Sequence, residues 1–128
     1  MDLKIKFLQS QERGNHLIVI TGGLIDAEGL EQIFRKIVET TQPLLSCKVL
    51  IDLEEAILKL EYGDIHRLVS RFGPDLSPDK IKIALVSSRE IDDSNRLRVL
   101  SALLQKLGLQ VDVFGDAKGA VTWLSETI

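Results

Sequence analysis

Residues 48–53 read Lys-Val-Leu-Ile-Asp-Leu, a short and nearly continuous apolar run. Such a run is typical of a strand that is covered on both faces, as in the parallel sheets of α/β proteins. Residues 81–86, Ile-Lys-Ile-Ala-Leu-Val, form a second run of this kind and are rich in branched side chains. Two buried strands separated by a helical segment predict parallel neighbours joined by a right-handed crossover.

Upstream of the first run, the sequence predicts an antiparallel hairpin followed by a helix. Residues 3–7 alternate between apolar side chains and lysines, and residues 16–20 form a second strand after a short polar connection. The glycines at 22–23 are expected to end that strand, because glycine permits a sharp bend of the backbone. Asp26 is a suitable N-cap for a helix whose apolar residues recur with helical spacing over 27–38.

Downstream, helices and strands continue to alternate. Residues 65–72 have helical spacing and end at Gly73-Pro74. Asp92 or Asp93 is expected to cap a third helix, and Gly108 is expected at its C′ position. A last strand and a last helix are predicted over 111–114 and 117–124, whereas 54–64 and 72–79 have the least regular patterns.

The resulting order, β-β-α-β-α-β-α-β-α, predicts an α/β fold in a single domain over 1–128. Its sheet has five strands, of which the N-terminal hairpin is antiparallel and the remainder mainly parallel, with four helices. No internal repeat, low-complexity tract or linker interrupts the 128 residues.

Composition excludes several classes of protein. The single cysteine, Cys47, rules out a disulfide scaffold and suits a reducing cytoplasm. Because 16 basic residues are spread among 19 acidic ones, we expect no nucleic-acid partner. No apolar stretch approaches the roughly 20 residues that a membrane span requires.

The residues that end or follow the buried strands are candidates for a reaction centre. Asp52, Ser87, Ser88 and Lys118 loosely resemble the site of a phospho-receiver domain. Such a site needs further carboxylates from the first strand to hold Mg²⁺, and residues 7–10, Phe-Leu-Gln-Ser, supply none. His16 and His66 have no partners at metal-ligand spacing. We therefore predict a protein without a catalytic residue, metal or cofactor.

An apolar stretch from Ala56 to Tyr62 is the strongest functional indication in the residues themselves. It is interrupted only by Lys59 and Glu61, and acidic residues flank it on both sides. A segment this apolar either packs onto the sheet or forms a contact surface or the mouth of a pocket.

Several strings together resemble the STAS-type domain, and in particular the SpoIIAA-like branch related to anti-sigma factor antagonists. The resemblance covers most of the chain, and its most distinctive parts are the strand Val-Asp-Val-Phe at 111–114 and the Ala-Val-Thr-Trp-Leu helix segment at 120–124. The other strings are Gly-Leu-Ile-Asp at 23–26, Val-Leu-Ile-Asp-Leu at 49–53 and Lys-Ile-Ala-Leu-Val at 82–86. These are mostly packing residues, so the resemblance implies the fold more directly than the function.

The resemblance also implies where a regulatory site would lie. In the antagonists, Asp-Ser-Ser-Gly follows an Asp-Leu strand end by about nine residues, and a partner kinase phosphorylates its serine. The corresponding stretch here is Leu60-Glu61-Tyr62-Gly63, in which only the glycine matches. Either Glu61 supplies a permanent negative charge or the switch has been lost, and we favour its loss.

We therefore expect a bacterial, cytoplasmic, non-enzymatic domain that contacts a protein partner such as a regulatory kinase or another signalling protein. The alternative is a carrier or sensor of a small hydrophobic, lipid-like ligand, and pairing of the first strand between two chains would give a homodimer. The candidate contact residues are Asp52, Glu54, Ile57, Leu58, Leu60, Glu61, Tyr62, Gly63, Asp64 and Arg67.

Overall fold

The computed structural model describes residues 3–12, 14–87 and 91–126. Within these ranges, no helix combines the length and the apolar character that crossing a bilayer requires. The elements are β1 (Lys4–Ser10), β2 (His16–Ile25), α1 (Ala27–Thr41), β3 (Cys47–Leu58), α2 (Tyr62–Phe72), β4 (Ile81–Val86), α3 (Ile91–Lys106), β5 (Gln110–Phe114) and α4 (Ala117–Leu124), with a 3-10 turn at Gly73–Asp75.

The five strands form one sheet in the order β1-β2-β3-β4-β5. β1 pairs antiparallel with β2, and each later strand is parallel to its neighbour. The predicted order of elements and the predicted mixture of strand directions are both confirmed. β1 and β5 form the two edges of the sheet.

Three helices cover one face of the sheet, and one helix covers part of the other. The larger core lies beneath α1, α2 and α3, and includes Ile33, Ile65 and Leu100. Successive right-handed crossovers that advance in one direction place their helices on the same side, which explains this arrangement. α4 has no crossover to make and packs on the opposite face, where Ala120 and Leu124 contact a smaller core. We call the two sides the three-helix face and the α4 face.

β3 is longer than the sequence indicates because a bulge lies within it. Ile20 pairs with Asp52, whereas Gly22 pairs with Glu55, so β3 carries one extra residue between the two pairs. Before the bulge, the odd-numbered residues of β3 from Val49 to Leu53 face the larger core. The extra residue reverses this alternation, so the even-numbered Ala56 and Leu58 face that core instead. The expectation of an irregular segment is therefore wrong for 54–58.

The same pairing corrects the predicted end of β2. β2 continues through the two glycines to Ile25, with Gly23 at a positive φ of 82°. Glycine adopts this backbone conformation at little cost, so the glycine pair accommodates the irregular register without ending the strand.

Several predicted helix-end signals are present in the structure. The side chain of Asp26 accepts a hydrogen bond of 2.9 Å from the N–H of Gly29, which confirms the cap of α1. Gly108 lies at C′ of α3 with a φ of 90°, and the N–H of Leu109 reaches the carbonyl of Leu104 at 3.3 Å, as in a Schellman motif. α3 is assigned from Ile91, and the predicted cap at Asp92 or Asp93 concerns side chains that lie outside the described part of the chain.

Candidate functional site

A groove of about 520 Å³ separates the N-terminal part of α1 from α2 on the three-helix face. Both helices bury one apolar side in the core and leave their polar sides facing each other across the opening. The groove is lined by Ala27, Glu28 and Glu31 from α1 and by Asp64, Arg67, Leu68 and Arg71 from α2.

The α2 wall begins at a helix terminus that Asp64 organises. Its Oδ2 accepts a hydrogen bond of 3.0 Å from the N–H of Glu61, the N-cap residue, as in one half of a capping box. Its Oδ1 forms an ion pair with the guanidinium of Arg67, one turn further along the helix. Asp64 therefore fixes both the start of α2 and the position of an exposed arginine on the groove wall.

Ion pairs also link the two walls of the groove. Glu31 Oε1 lies 2.5 Å from Arg71 Nη1 across the groove and 2.7 Å from Arg35 Nη2 on its own helix. Exposed pairs of this kind contribute little to folding, because water screens the charges. They leave carboxylates and guanidinium groups at the surface, where a charged partner can replace the existing contacts.

Tyr62 stands at the start of α2, on the side that faces α3. Its side chain is 49% exposed, and its ring centroid lies 5.9 Å from the guanidinium carbon of Arg96. Arg96 also donates from Nε to the carbonyl of Leu60 at 2.6 Å, which ties α3 to the segment that precedes α2. Tyrosine and arginine are enriched at the centres of protein interfaces. The pair therefore gives this end of α2 the side chains of a contact surface.

The candidate residues from the second half of the apolar stretch divide into two groups. Glu61, Tyr62, Gly63, Asp64 and Arg67 lie together at the N-terminal end of α2, where Asp64 and Arg67 line the groove and Tyr62 faces α3.

Leu58 and Leu60 are buried in the larger core instead. Packing onto the sheet is therefore the better interpretation of these two leucines. Ile57, between the buried Ala56 and Leu58, lies on the other face of the sheet, where its side chain is exposed. In the sheet it pairs with Leu24 of β2.

Asp52 and Glu54 lie at the bulge of β3, away from the residues that line the groove. Asp52 Oδ1 accepts a hydrogen bond of 3.0 Å from the N–H of Glu54, and its carbonyl accepts one of 2.9 Å from the hydroxyl of Thr21. Desolvation and then the nearby carboxylates of Asp52, Glu55 and Asp116 raise the pKa of Glu54. The structure thus assigns Asp52 a role in holding the bulge.

Other reactive side chains are engaged in the fold. Burial raises the pKa of the Cys47 thiol to about 11, so the nucleophilic thiolate is scarce at neutral pH. The buried Ser87 hydroxyl donates to the carbonyl of Phe114 at 3.4 Å, and Ser88 lies outside the described residues. In the described part of the chain, no three His, Cys, Asp or Glu side chains are grouped as metal ligands.

The sequence did not indicate the α1 wall of the groove. Glu28 and Glu31 lie three residues apart on the polar side of α1, which the helical pattern does reveal. That pattern does not reveal the element that faces this side. Only the packing of α1 beside α2 turns two ordinary surface glutamates into part of a groove.

Comparison with known proteins supports the fold. The chain matches no protein-family model, and no curated protein matches it significantly. Among solved structures, it is similar to an uncharacterized protein of the DUF3478 family with a SpoIIAA-like fold, from Shewanella loihica PV-4. The two share 18% identity with a TM-score of 0.57, over 95% of this chain and 93% of that one. The chain has a SpoIIAA-like fold. Within this STAS-type architecture, the stretch from Leu60 to Gly63 leads into the first turn of α2.

Proposed function

We propose that this protein is a non-enzymatic STAS-like domain that binds a protein partner in the bacterial cytoplasm. The partner contacts the groove between α1 and α2 together with Tyr62, and we call this combination the groove surface. The observation that carries the proposal is the 520 Å³ groove, which is lined by carboxylates and arginines of both signs of charge. Half-exposed Tyr62 lies at the start of the same helix α2, on the side that faces α3. A signalling protein such as a regulatory kinase, with charges that complement both signs in the groove, is the partner class that we favour.

The proposed interaction does not depend on phosphorylation at residue 61. Glu61 has no hydroxyl group, and it occupies the N-cap of α2, where a negative charge stabilises the positive end of the helix dipole. This structural role is sufficient to explain the glutamate, so we favour loss of the antagonists' serine switch over permanent mimicry of its phosphate.

A carrier of a lipid-like ligand is less well supported by the cavities. A predominantly apolar pocket on the α4 face, between β2 and α4, has a volume of only about 180 Å³. Sites for small organic ligands usually enclose about 300–1,000 Å³. Leu58 and Leu60, which could have lined such a site, are instead part of the core.

The groove surface is tested by affinity capture with the tagged full-length chain and quantitative mass spectrometry. We expect Tyr62→Ala combined with Arg67→Ala to reduce recovery of the specific partner by about tenfold or more, since aromatic and arginine anchors dominate interface energies. The matched control is Leu45→Ala combined with Arg98→Ala, which also removes one large exposed side chain and one arginine, but away from the groove.

Equal recovery by the wild type and both double variants would contradict the groove surface. Thermal unfolding midpoints within about 3 °C of the wild type establish that each variant is folded. Loss of the partner with the control pair alone would place the interface elsewhere on the molecule. Native mass spectrometry of the wild type tests the carrier alternative, for which a co-purifying ligand mass is required.

A further inference from the structure

The α4 face leaves the N-terminal hairpin uncovered. The smaller core joins α4 to β3 and β4 through Leu50 and Ala84, and it does not extend over β1. On this side of the hairpin, Leu8 is 41% exposed and Ile20 is 40% exposed. Val121, on α4, is 54% exposed. Large apolar side chains thus remain in contact with water on both sides of an open slot between the hairpin and α4.

Charged side chains flank this apolar slot in a defined order. In one row across the sheet, Lys6 pairs with Ile20, which pairs with Asp52. In the next row, Lys4 and Glu55 both pair with Gly22, from opposite sides. In these two rows, lysines lie on the β1 side and carboxylates on the β3 side of β2, whereas Lys48 of β3 lies further along the strand, at the apolar pocket. None of the ion pairs formed among the described residues uses these lysines or carboxylates.

The slot deepens into an apolar pocket of about 180 Å³ between β2 and α4. Its apolar lining residues include Ile18, Leu50, Val121 and Leu124. The pocket suits a single aliphatic side chain better than a lipid chain. Leu8 pairs with Ile18 in the sheet, so it lies one strand away from this pocket on the same face.

We propose that the α4 face of the hairpin binds the same face of a second copy of this chain. A two-fold axis that runs parallel to the strands, between β1 and β2, places β1 of each copy over β2 of the other. Leu8 of each copy then enters the pocket beside Ile18 of the other, because these two residues are paired neighbours in the sheet. A two-fold interface must be self-complementary in this way.

The charges fit the same arrangement. Rotation about this axis brings the lysines of β1 towards the carboxylates of β3 in the other copy, and it does so twice by symmetry. Face-to-face sheets lie about 10 Å apart, comparable to the diameter of a helix, so α4 borders the partner hairpin as a neighbour in the same layer. A second copy carries both the apolar side chain and the charge order that this face requires, which is why we favour it over an unrelated protein.

Sedimentation of the full chain provides the test. We expect the wild type to form a reversible dimer. Leu8→Asp introduces a charge into the apolar pocket and is expected to increase the dissociation constant of the dimer at least tenfold. Leu45→Asp is the matched control because Leu45 is 90% exposed and lies outside the α4 face. A wild type that is monomeric up to about 200 μM, above the range of specific dimers, overturns the proposal.

A charge exchange distinguishes this face from pairing through the β1 edge. Lys4→Glu and Glu55→Lys each place like charges opposite each other and are expected to weaken the dimer by about tenfold at low salt. The double variant restores opposite charges at both symmetric contacts, and its affinity is expected to return to within about threefold of the wild type. The proposed geometry is overturned if Leu8→Asp does not change the dissociation constant of the dimer. It is also overturned if the double variant dimerises more weakly than either single variant.

Discussion

Asp52 lies at the end of the predicted buried strand, a position typical of reactive groups in α/β proteins, but its hydrogen bonds stabilise the backbone of the β3 bulge. A bulge leaves backbone groups without ladder partners, and buried or half-buried groups of this kind are costly unless they are hydrogen-bonded. The Asp52 carboxylate accepts from one N–H and its carbonyl accepts from the Thr21 hydroxyl. The residue thereby allows β3 to change the side that faces the core without ending the strand.

The carboxylates around the bulge make the free energy of unfolding depend on pH. Desolvation and the charges of Asp52, Glu55 and Asp116 raise the pKa of Glu54 in the folded protein. A raised carboxyl pKa means that the folded state binds more protons than the unfolded chain between the two pKa values. The associated stability is complete below the unfolded pKa of about 4.3 and is lost as the pH rises through the folded value.

Glu54→Gln is therefore expected to stabilise the protein at pH 7, where the wild-type residue is charged, and to lose this advantage near pH 3.5. Because Glu54 is exposed, the gain is below about 1 kcal/mol. Urea unfolding at both pH values measures it, with Glu39→Gln on the exposed side of α1 as the control. A gain that is equal at both pH values would mean that the carboxylate charge is not its cause.

At the scale of elements, α4 depends on a lysine that reaches it from the sheet. Lys82 is 2% exposed, and its Nζ lies 2.6 Å from the carbonyl of Trp123 and 3.4 Å from that of Glu126. The ammonium is also 4.3 Å from the centroid of the Trp123 ring. The last carbonyls of a helix lack intrahelical partners and carry the negative end of its dipole, so a cation there stabilises α4 on the sheet.

Lys82→Met retains most of the aliphatic chain but removes the ammonium. We expect it to lower the free energy of unfolding by about 1–3 kcal/mol, because hydrogen bonds from charged donors contribute this much. Lys59→Met, at an exposed position, is expected to change it by less than about 0.5 kcal/mol. Hydrogen exchange should show the loss of protection concentrated in α4. A stabilised variant would indicate that burying the charge costs more than its contacts return.

At the scale of the whole molecule, the two proposed surfaces lie on opposite faces of the sheet. The groove surface lies on the three-helix face, whereas the hairpin and α4 form the proposed dimer contact. The sheet between them is well packed by two separate cores. A dimer formed through the α4 face therefore presents two open grooves, directed away from each other.

This separation predicts that partner binding at the groove surface and dimer formation through the α4 face are independent of each other. Leu8→Asp is expected to abolish the dimer while the partner is still captured at each groove, although with reduced avidity where the partner is itself multivalent. Tyr62→Ala combined with Arg67→Ala is expected to leave the sedimentation behaviour unchanged. Residues this far apart with no shared contacts normally have additive effects. Loss of both properties in either variant would show that the surfaces are coupled.

The order of elements was predictable because each depends on local periodicity and on end signals. The buried run at 48–53, the cap at Asp26 and the glycine at 108 each leave a local pattern, and the structure confirms them. For the candidate site, the sequence selected residues between Glu61 and Arg67 but predicted helical spacing only from residue 65, whereas α2 begins at Tyr62. It did not indicate the bulge, because one extra residue in β3 is defined only relative to its partner β2.

The sequence by itself determined the α/β fold with its mixed sheet, since alternating apolar patterns and right-handed crossovers admit few other arrangements. Its SpoIIAA-like character was implied only by the resemblance of several short strings. Tertiary structure alone decided which side chains remain available for binding. It buried Leu58 and Leu60 through the bulge, placed Glu31 opposite Arg71, and left Leu8 beside an open slot. These outcomes depend on which elements become neighbours, and residues distant in the chain acquire that relation only when the sheet and its helices pack.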